Sequence, residues 1–380
     1  MIMARIESID RLRGLVILLM ALDHTRDFFA GSGINPRDVH APLLFMTRWI
    51  THLCAPTFIF LAGASIFLWQ QNHSKKETSR FNLIRGFWLI LLEFSLVKFG
   101  WTFNFNPEFM VAQVIWAIGV SMVFMSIAIY LPIRGLAFIS GLIIVGHNAL
   151  DVYTADQFGD LKWLWVILHQ QASLNPWSNV QLFIAYPIIP WLAVMSLGYC
   201  FGNYFLLKPA IRTRYFLGFG ISLITAFIVL RFSNIYGDPK PWIVQDQIPA
   251  TLFSFINCEK YPPSLLYLLM TLGIAAILLV VMENIQGKLG KLLLIFGQVP
   301  LLFYVIHLPV LHLFAIGLTA VNGQSIDWLF KDPFDSKPAG YGYHLGIVYL
   351  IWLATIAFLY PVCLKYRELK IKHTDLLRYF

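Results

Sequence analysis

Apolar stretches long enough to cross a lipid bilayer recur from one end of this 380-residue chain to the other. No other property restricts the fold so tightly. A hydrocarbon core about 30 Å thick takes roughly 20 apolar helical residues, and every backbone amide within it must find a partner inside the protein. Ten stretches qualify: about 12–30, 43–69, 82–100, 111–131, 135–150, 181–206, 214–231, 264–283, 292–319 and 343–364. The expected fold class is all-α, a polytopic membrane protein of about ten transmembrane helices in a single domain over 1–380. With 58% hydrophobic and 13% charged residues, the composition lies outside the usual range for soluble domains.

The net charge of +8 is distributed by side rather than gathered into a patch. With the N-terminus placed in the cytoplasm, cytoplasmic segments hold 18 of the 28 basic residues, among them Arg5, Arg11, Arg13, Lys75, Lys76, Arg80 and Arg85. The positive-inside rule then predicts cytoplasmic N- and C-termini in a membrane protein surrounded by lipid, and nucleic acid is not needed as a partner. Cys54, Cys200 and Cys363 fall within spans and Cys258 stands alone in an outer loop, so no disulfide framework is expected. The first apolar run contains Asp23 and His24 and lacks a small-residue cleavage site, so it reads as a retained helix. The terminal Arg378-Tyr379-Phe380 matches no lipidation signal.

Three outer loops are long: 31–42, 151–180 and 232–263. Within the second, 161–169 is aromatic and too short to span, which predicts an interfacial helix. The third holds Pro239, Pro241, Pro249, Pro262 and Pro263 and is expected to be irregular but ordered. This asymmetry predicts an acceptor vestibule on the outer face. Arg-Gly-apolar triplets open three spans at Arg13-Gly14, Arg85-Gly86 and Arg134-Gly135. They read either as cytoplasmic charge followed by a small packing residue or as a ring of arginines awaiting phosphates.

Ionisable groups deep in a bilayer cost about 2.5–3.5 kcal/mol each on insertion scales, so they draw attention first. Arg13 and His24 are eleven positions apart, which returns them to one helix face with a rise of about 16 Å. Asp23 and Asp27 flank His24, suiting it to act as a general base or as part of a proton relay. Arg48 and His52, at i and i+4, share a face of the second span, where Pro56 frees a backbone carbonyl. In the ninth span Tyr304 and His307 share a face and suggest a pocket wall. His307 and His312 are poorly spaced for a metal and lack Cys or carboxylate companions, so no metal is expected. Glu93, Lys98, Gln113, Trp116, Asn203 and Glu283 read as structural, Glu93 being deep enough to pair with a core cation. Walker, Gly-x-Ser-x-Gly and His-Glu-x-x-His motifs are absent from the sequence.

Several motifs carry a family resemblance. They are Asp10-Arg11-Leu12-Arg13-Gly14, the stretch Thr47-Arg48-Trp49-Ile50-Thr51-His52 running into Leu53-Cys54-Ala55-Pro56-Thr57-Phe58, Tyr186-Pro187-Ile188-Ile189-Pro190-Trp191, Tyr261-Pro262-Pro263-Ser264-Leu265, and Gly297-Gln298-Val299-Pro300 with His307. Together they resemble the catalytic domain of the heparan-α-glucosaminide N-acetyltransferase family, within the wider transmembrane acyltransferase superfamily, and most of all its uncharacterised bacterial branch. The Arg13–His24 spacing also resembles the basic residue, ten residues, histidine pattern of acyltransferase family three. That resemblance implies about ten helices around a central pore, with acyl-CoA entering from the cytoplasm and meeting its acceptor at the outer side. In lysosomal members the position matching His24 is an asparagine and the assigned histidine lies in the following loop, where His40 is the nearest candidate here. The likeness also admits a homodimer.

The sequence therefore predicts an acetyl-CoA-dependent acetyltransferase acting on an extracytoplasmic glycan or amino sugar. His24 is the expected base, oriented by Asp23, with His40 second; Arg48 or His52 is the orienting or oxyanion group. Arg13 would hold the CoA phosphates, and Tyr304 and His307 would line the co-substrate's pocket. The alternative is a proton-coupled transporter or flippase for a solute or glycan precursor, in which Asp23, His24 and His307 relay protons.

Overall fold

The computed structural model describes residues 6–33, 35–331 and 337–373; Arg5 and Arg378-Tyr379-Phe380 lie outside them. The chain opens with α1 (Glu7–Phe29), α2 (Pro42–Thr51), α3 (Cys54–Gln70) and α4 (Lys75–Leu92), then a π-helical turn at Glu93–Val97 and α5 (Lys98–Thr102). Strand β1 (Phe109–Ala112) precedes α6 (Val114–Ala128) and α7 (Ile133–Gly146). The short α8 (Lys162–Leu168) leads into β2 (Ala172–Trp177), β3 (Val180–Ile184) and α9 (Ile188–Phe201). The remainder is α10 (Pro209–Ser233), α11 (Ile248–Ile256), α12 (Leu265–Asn284), α13 (Gly287–Gln298), α14 (Pro300–Val321) and α15 (Leu345–Lys372).

Seven helical segments among the described residues are long and apolar enough to cross a membrane, and they coincide with seven of the ten expected spans. The other three are helical but fall short of that standard. Helix α1 carries seven charged side chains and α4 begins with a basic turn, while α6 has only 15 residues. The expected ninth span is two helices, because Val299 leaves helical geometry and Pro300 starts α14. The expected sixth loses its first residues to β3.

Helix α1 is the axis of the molecule. It packs against α3, α12, α13, α14 and α15, and most of its residues are buried. That position explains why a charged helix is tolerated: its polar groups meet protein, not lipid. The closest crossing is with α13, where a Cβ on Gly14 would collide with the Leu293 carbonyl and one on Gly297 with the Asp10 carbonyl. Backbones approach this closely only where side chains are missing. Gly86 meets Gly119 of α6 in the same way, whereas nothing lies within 4 Å of Gly135. Two of the three Arg-Gly triplets thus have a packing role for their glycine.

Pro56 acts as expected, though the break it causes comes earlier in the chain. Helix α2 ends at Thr51, and the carbonyl of His52, which Pro56 cannot engage, accepts instead from the Tyr267 hydroxyl at 2.8 Å. Among the described residues Glu93 has no cationic partner. Its Oε2 accepts from the backbone N–H of Trp116 at 2.8 Å, satisfying the first turn of α6.

The small sheet has the order β1-β3-β2, with β1 parallel to β3 (Phe109 opposite Gln181) and β2 antiparallel (Ala172 opposite Ile184). The stretch 232–263 is irregular except for α11. Buried Arg231 orders it by donating to the carbonyls of Phe255, Lys240, Ser254 and Asn257 at 2.8–3.2 Å. All four cysteines are free and buried, Cys258 included.

Candidate active site

Two cavities adjoin along α1. One, of about 440 Å³, is lined by Asp23, His24 and Asp27, by Trp101, and by Lys260 and Tyr261. The sheet supplies a further wall through Phe109, Val111, Ser173, Gln181 and Phe183, with Gln113 and Gln171 beside it. The other, of about 340 Å³, is lined by Arg13, Ser65, Trp69, Phe81, Arg85, Gln298, Tyr304 and Lys370. Met20, Phe58 and Val114 line both and form the apolar boundary they share. Arg13 and His24 thus open into neighbouring cavities from one helix.

His24 is buried and makes its hydrogen bond across the bundle. Its Nδ1 lies 2.7 Å from Nε2 of His307, and Trp101 and Tyr304 meet its ring edge-on at centroid distances of 5.0 and 6.0 Å. The expected partnership with Asp23 is replaced by this one. Asp23 Oδ1 instead accepts from Arg26 at 2.7 Å and from the Thr51 hydroxyl at 2.9 Å. Arg26 also bonds Asp27 at 2.9 Å. The reason is directional: adjacent residues on a helix project about 100° apart, so an i−1 carboxylate does not face the imidazole.

Lys260 was not singled out from sequence. It is 6% exposed, sits over the Tyr261 ring at 5.0 Å and lines the His24 cavity. Burial alone would lower its pKa, but Tyr261 and Asp23 outweigh that and raise it above the ordinary lysine value, so it stays an ammonium. It enters on a loop held by Glu259, whose carboxylate bonds Arg37 and Lys240. Although burial pushes that carboxyl up, the two cations hold it at about 2. The available signal was a lone lysine directly before Tyr261-Pro262-Pro263.

The remaining sequence candidates, Arg48 and His52 among them, do not line the His24 cavity. His52 is buried with neither ring nitrogen hydrogen-bonded among the described residues, its ring edge-on to Tyr267 at 5.5 Å. His40 is exposed in the loop after α1, its backbone N–H donating to Asp38. His307 is buried behind His24 and lines neither cavity. Tyr304 does line the Arg13 cavity, and its hydroxyl has no hydrogen-bond partner among the described residues. Arg13 donates to the Leu61 carbonyl at 3.1 Å and to Ser65, and lies 3.5 Å from Asp10. Arg85, one of the arginines read from sequence as a possible ring, and Lys370, which was not, add two further cations to that cavity, whereas Arg134 does not line it. His312 bonds the Gly100 carbonyl and stacks on Phe103, and no metal-ligating cluster occurs among the described residues.

Fold and site define a class: a polytopic helical membrane protein in which a cavity lined by a buried imidazole adjoins a cationic one. The chain matches the heparan-alpha-glucosaminide N-acetyltransferase catalytic family over residues 5–237, more than half its length, and belongs to that family. Membership marks it as a transmembrane acetyltransferase. The match takes in Arg13, His24 and Arg85, while Lys260, Tyr304 and His307 lie beyond it. No match was found among curated proteins.

Proposed function

We propose that the protein moves an acetyl group from cytoplasmic acetyl-CoA in the Arg13 cavity to an amine or hydroxyl of an extracytoplasmic sugar or glycan in the His24 cavity. The observation that supports this reading is the boundary of Met20, Phe58 and Val114 shared by a cavity lined by cations and one lined by His24. Arg13, Arg85 and Lys370 suit the CoA phosphates. The pantetheine arm would cross from one cavity to the other at Met20, Phe58 and Val114, passing the Tyr304 hydroxyl, and cover the roughly 16 Å of helix between Arg13 and His24. Gln113, Gln171, Ser173 and Gln181 offer amide and hydroxyl groups to a polyhydroxylated acceptor, and Phe109 and Phe183 offer ring faces.

The chemistry balances with these groups alone. His24 takes the proton of the acceptor N–H or O–H on Nε2, and the released lone pair attacks the thioester carbonyl. The tetrahedral oxyanion forms beside the Lys260 ammonium, the role expected of Arg48 or His52 from sequence. Collapse breaks the C–S bond, and the departing thiolate recovers the proton from His24 as CoA thiol. Asp23 and Arg26 act as the charge frame around this site.

The test compares wild type, Arg13→Ala and His24→Ala in lipid nanodiscs. Acetyl-CoA should raise the thermal stability of wild type and His24→Ala but not of Arg13→Ala. Transfer of radiolabelled acetyl to glucosamine should vanish in His24→Ala. Undiminished turnover in His24→Ala would remove it as the base. Solute transport driven by a pH gradient, without any response to acetyl-CoA, would favour the transporter reading instead.

A further inference from the structure

We infer that His307 is a positioning residue that fixes His24 in the one tautomer able to act as a base, an inference that rests on the reading of His24 above. The two rings lie 14° from parallel with centroids 5.0 Å apart, while the facing nitrogens are 2.7 Å apart. The centroids are farther apart than the nitrogens by the reach of both rings, so the imidazoles meet edge to edge in nearly one plane. That is the geometry of an in-line N–H···N hydrogen bond.

The direction of that bond is decided one step further along. Nδ1 of His307 lies 2.9 Å from the carbonyl oxygen of Phe303. A carbonyl only accepts, so Nδ1 of His307 carries the hydrogen, and Nε2 of the neutral ring is a bare lone pair. Nδ1 of His24 must then donate to it, which leaves the lone pair of His24 on Nε2. Among the described residues that nitrogen has no hydrogen-bond partner, and His24 lines the cavity. A backbone carbonyl of α14 thus sets the tautomer of a side chain on α1, with His307 as the link. When His24 receives the acceptor's proton, its Nδ1–H becomes a charged donor to His307 and the bond strengthens. The stabilisation arises as the attack proceeds, as with the buried partner of a catalytic-triad histidine. A ring serving only to fill space would need neither nitrogen placed this way.

The test uses wild type, His307→Leu, His307→Gln and His24→Ala in nanodiscs, with acetyl-CoA and glucosamine as probes. His307→Leu should lower kcat by roughly a hundredfold or more, the range of general-base catalysis, with KM for acetyl-CoA changed by less than about threefold. The Gln carbonyl can accept from Nδ1 of His24, so His307→Gln should recover at least about tenfold of that loss. In nitrogen NMR of histidine-labelled protein, the signal that disappears in His24→Ala should report hydrogen on Nδ1 in wild type and mixed tautomers in His307→Leu. That spectrum tests the inference on unaltered protein even if a variant misfolds or glucosamine is not acetylated. Hydrogen on Nε2 of wild-type His24, or full kcat in His307→Leu, overturns it. An inactive His24→Ala beside a fully active His307→Leu sinks this inference alone; an active His24→Ala sinks both.

Discussion

Lys260 and His24 face one cavity but are held there by different means. The imidazole is fixed by a neutral neighbour, and the ammonium by charge, with Asp23 and Tyr261 keeping it protonated despite burial. A preorganised cation in a site of low dielectric can stabilise an oxyanion without reorganising, and removing one such donor costs about 10²–10³ in rate. Lys260→Met should therefore lower kcat by roughly that factor while leaving the thermal shift with acetyl-CoA intact, because the Arg13 cavity is untouched. Steady-state kinetics beside a melting assay checks this; an unchanged kcat would remove Lys260 from the mechanism. His24 and Arg13 were legible in the sequence because ionisable groups stand out in an apolar run. Lys260 was not, since a loop lysine looks like any other until the fold buries it. Arg48 and His52 keep the helical spacing that the sequence implies, His52 N–H bonding the Arg48 carbonyl, but neither lines the His24 cavity, a placement that helix periodicity alone does not reveal.

The elements owe their placement to glycine and proline more than to hydrophobic periodicity, which every span satisfies alike. The α1–α13 crossing sets where Arg13 and Gln298 stand around the cationic cavity, and it exists only because Gly14 and Gly297 lack side chains. Gly297→Ala should destabilise the protein by about 1–3 kcal/mol, the usual penalty of overpacking, and weaken acetyl-CoA binding as α13 is pushed away. Gly135→Ala, with open space around it, should be neutral or slightly stabilising. Melting temperatures of the two variants check the contrast, and equal behaviour would refute it. Seven spans could be located from apolar length alone. The sheet could not, because its strands have only four to six residues and earn their stability from pairing across 70 residues of chain. The break at Val299 had a local signal in Gly297-Gln298 and Pro300, but the long apolar run 292–319 outweighed it.

At the scale of the molecule, the proposed direction of transfer depends on which membrane face each cavity opens toward. With the N-terminus inside, His40 is extracytoplasmic and Lys76 cytoplasmic. Single cysteines at these two exposed positions should label oppositely with an impermeant maleimide: position 40 in intact cells, position 76 only after permeabilisation. The four native cysteines are buried and should contribute little background. Reversed labelling would invert the donor and acceptor sides.

The burial of α1 also bears on how the protein is made. Its seven charges are synthesised well before α13 and α14, which shelter much of that helix and follow about 250 residues later. At roughly 5–20 residues per second that interval is on the order of ten seconds or more, during which lipid is a poor environment for Asp23, Arg26 and Asp27. The nascent segment therefore needs a proteinaceous holding place, such as the insertion machinery itself, until its own downstream helices arrive to replace it.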